Sequence, residues 1–307
     1  MKLSVVTTLY KSRPFLDVFV REILIAISEI GVTEFELIFV NDGSPDDSVA
    51  HLLNLKKELP SIVVVDLSRN FGHHYAIQAG LEVSSGEYVF LIDNDLEVHP
   101  NVLVNFYNSI VQKPELDVIY GFQESRKGGM TESISGKIFW KVINYISEVK
   151  IPKNILTERL MTREYVHALL SLKDANLFLG GMMHWVGYNQ KGIAVQKGLR
   201  EGQSTYSFRK RIQLMIQAVT SFSGKPLEML FYFGVLVSSF SVFFLIYLAL
   251  KKIIYADQVQ VGWTSIIAIN VMILGIVSTF LGLIGIYIFK IFRQVQGRPN
   301  YIIRKIL

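Results

Sequence analysis

Residues 88–97 read Tyr-Val-Phe-Leu-Ile-Asp-Asn-Asp-Leu-Glu, an apolar run that leads directly into carboxylates. Five successive apolar or aromatic residues are typical of a strand that is buried on both faces. Asp93 and Asp95 follow at a spacing that lets both carboxylates reach one octahedral Mg²⁺ or Mn²⁺ ion. A solvated turn or a helix cap can also carry two aspartates in this pattern. The position directly after a buried strand, with Glu97 two residues further on, favours the metal-binding interpretation.

On both sides of this stretch, short apolar runs alternate with helical patterns. The sequence predicts strands at residues 3–8, 35–40, 62–67, 88–92 and 118–120. It predicts a first helix that begins near Ser12, with Pro14 in its first turn. Three further helices are predicted at residues 45–59, 75–83 and 100–111. Strands separated by helices favour the α/β class, with a mostly parallel sheet that helices cover on both faces.

The second predicted strand also ends in a polar cluster, Asn41-Asp42-Gly43-Ser44. Ligands of such sheets bind beyond the carboxyl ends of the strands, so Asp42 is a candidate contact for a base or ribose. A structural Asx turn is the alternative. The sequence has neither a Walker lysine loop nor GxGxxG, so a carboxylate-bound divalent cation is the expected device for holding phosphates. His73 and His74 are neighbours on a predicted helix and face different directions, which favours a role other than metal binding.

The composition excludes several classes of protein. The chain has 307 residues, 31 Lys and Arg against 26 Asp and Glu, and no cysteine. Half of the residues are hydrophobic and 19% are charged, so disorder, collagen and low complexity are excluded. The absence of cysteine excludes a disulfide scaffold, a thiolate metal site and a cysteine nucleophile.

Two uncharged runs stand out in the carboxyl-terminal third, at residues 229–250 and 261–289. Each exceeds the roughly 20 residues that a helix needs to span a bilayer, although two buried helices are the alternative. Basic residues flank the pair, and the positive-inside rule then places both termini in the cytoplasm. We therefore expect a multi-pass inner-membrane protein in contact with membrane lipids. Nucleic acid is a poor explanation for the basic residues, because no aromatic groove accompanies them.

These patterns divide the chain into four predicted regions. Residues 1–206 form a cytoplasmic catalytic domain, and residues 207–226 form an interfacial amphipathic helix. Residues 227–289 form a transmembrane hairpin, with spans at about 227–250 and 263–289. Residues 290–307 form a basic cytoplasmic tail.

The chain resembles the family 2 polyprenyl-phosphate glycosyltransferases of GT-A fold, which include bactoprenol glucosyltransferases and dolichol-phosphate mannose synthases. The resemblance covers nearly the whole chain. It is carried by residues 4–10, 41–44, 67–72, 93–97 and 202–207, by the paired apolar runs, and by residues 298–302. It implies a GT-A Rossmann-like fold, Mg²⁺ or Mn²⁺ as cofactor, and a homotetramer. The implied reaction is the inverting transfer of a hexose from a UDP- or GDP-linked sugar to undecaprenyl or another polyprenyl phosphate.

The resemblance also implies a role for each matching residue. Nucleotide contacts would come from Thr8, Tyr10, Asp42 and Asp93, and metal ligands would be Asp93, Asp95 and Glu97. Catalytic roles would fall to Asp95, Arg126 and Arg200. Lipid phosphate or diphosphate would be held by Arg126, Ser135, Lys137, Arg200, Ser204, Tyr206 and Lys210.

The chain departs from the family's pattern at Glu97, at Thr157 and at residues 98–100, which read Val-His-Pro where relatives commonly read Asp-Pro-Pro. Relatives read Gly-Asp-Phe-Arg-Leu where residues 156–160 read Leu-Thr-Glu-Arg-Leu, so Thr157 replaces the usual Asp. Thr157 and Glu158 are therefore possible acceptor-positioning residues, and Glu97 replaces the usual Gln. A phosphate acceptor is already largely dianionic at neutral pH and needs no base, so the departure at Thr157 is compatible with it.

Two other functions fit parts of the sequence. A glycan-extending synthase is the first, although the Gln-x-x-Arg-Trp motif of processive synthases is missing. A catalytically weak membrane assembly protein that binds a nucleotide sugar is the second, and the departures at Glu97 and Thr157 are its support.

Overall fold

The computed structural model describes residues 2–123, 152, 154–175, 179–198, 225–254 and 263–307. Within these residues the strands are β1 (Lys2–Leu9), β2 (Glu34–Asn41), β3 (Ile62–Leu67), β4 (Tyr88–Leu91), β5 (Val118–Phe122), β6 (Ile155–Thr162), β7 (Gln190–Ala194) and β8 (Ile303–Ile306). The helices are α1 (Leu16–Glu29), α2 (Ser48–Leu55), α3 (His73–Val83), α4 (Val102–Val111), α5 (Arg163–Ser171), α6 (Leu179–Trp185), α7 (Lys225–Ile254) and α8 (Trp263–Val295).

The strands form one eight-stranded sheet in the order β7-β5-β6-β4-β1-β2-β3-β8. β4, β1, β2 and β3 run parallel to one another, and β5 runs parallel to β7. β6 is antiparallel to both of its neighbours, and β8 is antiparallel to β3. The α/β class with a mostly parallel sheet is therefore confirmed, and the carboxyl ends of β1, β2 and β4 meet at one edge.

Apolar cores lie on both faces of the sheet, as continuous hydrophobic strands require. On one face α1 and α4 pack through edge-to-face aromatic pairs, Phe19 with Phe39 and Phe90 with Phe106. On the other face α3 packs closely against β1 and β2. The closest approach is at Gly80 of α3, where an added Cβ would lie 2.5 Å from Val6 Cγ1 and 2.8 Å from Val40 Cγ2.

Replacing Gly80 by Ala is therefore expected to destabilise the fold by about 1–3 kcal/mol, because the extra methyl group overpacks a dense core. Ala has a higher helix propensity than Gly, so an effect on the helix alone would stabilise the fold instead. Chemical denaturation of the purified protein checks this prediction. Gly180 of α6, where an added Cβ would meet nothing within 4 Å, is the contrasting position for packing.

The predicted strands that precede residue 123 are all present, with boundaries within about two residues. Two helices differ more. α1 begins at Leu16 rather than near Ser12, because Ser12 forms a turn in which its hydroxyl accepts from the Tyr10 N–H. α2 covers only Ser48–Leu55, since Asp46 accepts hydrogen bonds from Ser44 and from the Arg13 N–H ahead of the helix.

The carboxyl-terminal segment is part of the sheet. β8 pairs with β3, and the Ser68 N–H donates to the Ile302 carbonyl at 2.9 Å. Arg304 adds a hydrogen bond to the Ser68 carbonyl and an ion pair with Asp66 at 3.4 Å. The basic tail predicted at residues 290–307 therefore contains an edge strand as well as the end of α8.

α7 and α8 occupy the ranges of the two expected spans, and they meet where the Phe233 and Phe280 rings pack edge to face. Among the described residues, however, no helix has both the length and the apolar character that crossing a membrane requires. A span needs both sufficient length and sufficient hydropathy in one helix, whereas the prediction depends only on the absence of charge from each run. This finding contradicts the prediction of a multi-pass inner-membrane protein with cytoplasmic termini. The transmembrane hairpin is not confirmed, and the structure shows two long helices over these ranges. The amphipathic helix predicted at residues 207–226 lies almost wholly outside the described residues.

Candidate functional site

The predicted nucleotide and metal residues that the structure describes lie where parallel strands β1, β2 and β4 end. Asp42 follows β2, Asp93 and Asp95 follow β4, and Thr8 lies near the end of β1. The strand ends are tied together by Asn94, whose side-chain amide donates to the Thr8 carbonyl at 2.8 Å. Topology thus assembles residues that are far apart in sequence into one site.

Asp42 is 4% exposed and holds the loop that follows β3. One carboxylate oxygen accepts from the Phe71 N–H at 2.7 Å, and the other accepts from the Gly72 N–H at 3.0 Å. Burial raises the pKa of Asp42, and these two backbone hydrogen bonds oppose the rise. Asp42 therefore has a structural role in shaping the loop, whether or not it also contacts a nucleotide.

His73, the first residue of α3, connects Thr8 with Asp93. Its Nδ1 lies 3.0 Å from the Thr8 hydroxyl, and its Nε2 lies 3.6 Å from a carboxylate oxygen of Asp93. His73 therefore lies beside Asp93, one of the predicted metal ligands, and is itself not one of the predicted ligands. Tyr10, predicted to line the nucleotide pocket, is 54% exposed at this edge.

The turn after β4 separates the three predicted metal ligands. Asp95 accepts a hydrogen bond from the Glu97 N–H at 3.1 Å, and Leu96 between them has a φ of 58°, which is uncommon for a residue other than glycine. The Glu97 carboxylate forms an ion pair with Lys197. Burial raises the pKa of Asp95, and the neighbouring carboxylates of Glu97 and Asp93 raise it further.

A polar cleft of about 230 Å³ opens beside these carboxylates. Its lining includes Asp93 and Lys197 together with Thr157 and Glu158 from β6. Glu158 is 4% exposed, and its Oε2 is buried without a hydrogen-bond partner. Burial and the charges of Asp93 and Asp95 raise the pKa of Glu158 to about 7. The carboxylate next to Thr157 is therefore coupled to the predicted metal residues.

Arg159 fixes the backbone of β6 at this point. Its guanidinium is fully buried and donates to the carbonyls of Thr157 and Leu156, each at 3.2 Å. Burial lowers the pKa of Arg159. Alternation along the strand places Arg159 and Glu158 on opposite faces, so Arg159 supports the strand while Glu158 lies beside the carboxylates.

The oxygen-rich residues fit a hard divalent cation in charge and in donor type. The charge of Asp93 raises the pKa of Asp95 and of Glu158, and the charge of Asp95 also raises the pKa of Glu158. A bound cation would offset that repulsion. Asp93 and Asp95 are the two predicted ligands that fit best, because Glu97 already pairs with Lys197. Within the described ranges, no three His, Asp or Glu side chains are placed to hold one ion together.

The predicted residues for catalysis and for lipid phosphate fall largely outside the described part of the chain. This is the case for Arg126, Ser135, Lys137, Arg200, Ser204, Tyr206 and Lys210. Their assignment stays a prediction.

Sequence reasoning missed Lys197. It follows β7, whose carboxyl end reaches the same sheet edge because β7 runs parallel to β5. The strand is short and its residues are partly exposed, so no apolar run indicated it. Only recognition of β7 as a strand could have placed this lysine beside Glu97.

Comparison with known proteins relates this chain to glycosyltransferases by sequence. Residues 4–170 match the sequence profile described as glycosyl transferase family 2. A protein of Mycobacterium tuberculosis named as putative glycosyltransferases is 38% identical over 307 residues, which cover 100% of this chain and 88% of that protein. The prophage-derived bactoprenol glucosyl transferase of Shigella flexneri is 30% identical over 311 residues, covering 99% of this chain and 98% of that one. Among solved structures, a mannosyltransferase of Pyrobaculum calidifontis in complex with GDP-Man and Mn²⁺ gives a TM-score of 0.48 at 12% identity, covering 96% of this chain and 86% of that chain.

Proposed function

Because the chain belongs to glycosyl transferase family 2, a family of GT-A fold, we propose that it transfers a hexose from a nucleotide sugar to a polyprenyl phosphate. The glycosyl-transfer part follows from membership of the family. The acceptor is supported by relatives named bactoprenol glucosyl transferases, which align with 99% of this chain. The observation that carries the proposal is the carboxylate cleft, in which Asp93, Lys197 and Glu158 converge beyond the ends of the parallel strands.

In the proposed arrangement the nucleotide lies along the ends of β1 and β2, near Thr8, Tyr10 and Asp42. Asp93 and Asp95 would hold Mg²⁺ or Mn²⁺ against the diphosphate. When bound, such an ion neutralises negative charge that develops on the leaving group. Lys197 is the cation of the cleft, and its charge stabilises the same developing negative charge.

The chemical step is one displacement at the anomeric carbon. An oxygen of the acceptor phosphate forms a bond to that carbon as its bond to the diphosphate oxygen breaks. The electron pair leaves with the nucleoside diphosphate, and the configuration at the carbon inverts. No proton has to be removed from the nucleophile, so the loss of the usual Asp at Thr157 leaves the step intact.

The work of the protein is then alignment and electrostatic stabilisation. Thr157 and Glu158 line the cleft where the acceptor has to approach. A Glu158 with a pKa of about 7 is partly protonated at neutral pH and can donate a hydrogen bond to a phosphate oxygen. We assign both residues to positioning of the acceptor.

The test is an incubation of purified protein in detergent with undecaprenyl phosphate and a panel of UDP- and GDP-hexoses. Mass spectrometry would detect a lipid-phosphate hexose, and the productive donor would name the sugar and the nucleotide together. Product on an oligosaccharide acceptor but not on lipid phosphate would favour a glycan-extending synthase. Nucleotide binding without product from any donor would overturn the proposal in favour of a binding protein.

Removal of divalent metal is expected to reduce product formation to background, because the carboxylates of the cleft would then repel the donor diphosphate. The measurement compares the amount of product in three reactions: without EDTA, with EDTA, and with EDTA followed by excess Mg²⁺ or Mn²⁺. Turnover that is unchanged in EDTA would contradict a role for metal, while recovery with only one of the two ions would identify the cofactor.

A further inference from the structure

A second cleft, of about 390 Å³, lies where the carboxyl-terminal segment meets the loop after β3. The loop and the start of α3 contribute Arg69, Phe71 and Tyr75. The end of α8 and the segment beyond it contribute Arg293, Arg298 and Asn300. This cleft, which we call the arginine cleft, shares no lining residue with the carboxylate cleft.

The charge of the arginine cleft is one-sided. Three guanidinium groups line it, and none of its lining residues is Asp or Glu. Among the described residues, the ion pairs of arginine involve Arg13, Arg21 and Arg304, and none involves the three arginines of this cleft. Three positive charges around one concave space create a potential that favours a multiply charged anion.

One of the arginines is held in place before any ligand arrives. The Arg69 guanidinium lies 4.1 Å from the centre of the Phe71 ring and donates to the Asn70 carbonyl at 3.0 Å. On the same side, the Tyr75 hydroxyl donates to the Ala175 carbonyl at 3.1 Å. On the facing side, the Asn300 side-chain amide donates to the Asp174 carbonyl at 2.9 Å. The walls of the cleft are thus fixed by hydrogen bonds, which lowers the entropy cost of binding.

We propose that the arginine cleft binds a phosphate group, either free or carried as a monoester on an organic ligand. Guanidinium groups bind phosphate oxygens through paired N–H donors, and a dianion suits several of them at once. The volume exceeds that of a lone phosphate, and the Phe71 and Tyr75 rings offer an apolar wall to the remainder of a ligand. This site does not depend on the proposed polyprenyl phosphate acceptor, so the two proposals succeed or fail separately.

The test uses isothermal titration calorimetry on the full chain in detergent with two probes, sodium phosphate and phenyl phosphate, a monoester that is not a polyprenyl phosphate. The decisive variant is Arg293→Gln with Arg298→Gln, and Arg21→Gln is the matched control, since Arg21 is an exposed arginine of α1. At least one probe is expected to bind, and its Kd should rise about tenfold or more in the double variant, with little change in the control. Preference for phenyl phosphate would identify an esterified ligand, and equal binding with mutual competition would identify free phosphate.

Two results would overturn the proposal: neither probe binds the unaltered chain, or the double variant binds as tightly as the control. If the double variant melts at a lower temperature, Arg293→Lys with Arg298→Lys keeps the charge and removes the paired donors. That variant is expected to bind phosphate more weakly than the unaltered chain and more tightly than the Gln variant. Equal binding by the Lys and Gln variants would also contradict the proposal.

Discussion

Replacing Asp95 by Asn is expected to lower glycosyl transfer by about 10³-fold or more while the protein stays folded. The substitution removes one of the two carboxylates best placed to hold a divalent cation, and with it charge stabilisation of the leaving diphosphate. The fold should survive because Asn retains an oxygen that can accept from the Glu97 N–H. Burial and neighbouring carboxylates raise the pKa of Asp95, so removal of its charge relieves repulsion.

The measurement is the initial rate of lipid-linked product at saturating Mn²⁺, together with the melting temperature of each variant. Asp47→Asn is the matched control, because Asp47 is an exposed carboxylate at the start of α2, outside the cleft. Its rate should equal that of the unaltered protein. Full activity of the Asp95 variant would remove Asp95 from the metal site.

Replacing Glu158 by Gln is expected to stabilise the protein at pH 8 by about 2–3 kcal/mol in the presence of EDTA. The pKa of Glu158 rises from its ordinary 4.5 to about 7 in the folded state, mainly through burial and then through Asp93. Between these two values the folded chain holds a proton that the unfolded chain has lost, so stability falls as pH rises. The complete cost, near 3 kcal/mol at 1.36 kcal/mol per pKa unit, is present above pH 7.

Urea denaturation of both proteins at pH 4.5 and at pH 8 checks this prediction. The two curves should lie close together at pH 4.5, where Glu158 is neutral in the folded state and about half neutral in the unfolded state, and should separate at pH 8. Saturating Mn²⁺ should narrow the separation, because a cation near Asp93 and Asp95 favours the charged form of Glu158. An equal separation at both pH values would show that the substitution acts through packing and not through charge.

The parallel half of the sheet could be predicted because its strands are continuous apolar runs such as residues 35–40 and 62–67. β6 could not be predicted in this way. It places the charged residues Glu158 and Arg159 in buried positions, so its sequence has no continuous apolar run. Backbone carbonyls accept hydrogen bonds from Arg159 there. Local patterns also failed for β8, whose two adjacent basic residues, Arg304 and Lys305, have the composition of a solvated tail.

The same difference applies to the site. The location of Asp42, Asp93 and Asp95 at one edge of the sheet could be predicted, because all three follow the ends of apolar strands. The approach of Glu158 and Lys197 could not, because it depends on where the antiparallel β6 and the short β7 join that sheet. Such pairings are long-range and have no local signal.

The pairing of β8 with β3 has a consequence for synthesis of the chain. The Arg304 side chain binds the Ser68 carbonyl, 236 residues earlier in the sequence. At the usual 5–20 residues per second, a ribosome needs roughly 10–50 s to make the intervening segment. During that time the free edge of β3 presents unpaired backbone groups to other nascent chains. The nascent protein therefore passes through a period in which the sheet is vulnerable to aggregation, and the arrival of residues 303–306 ends it.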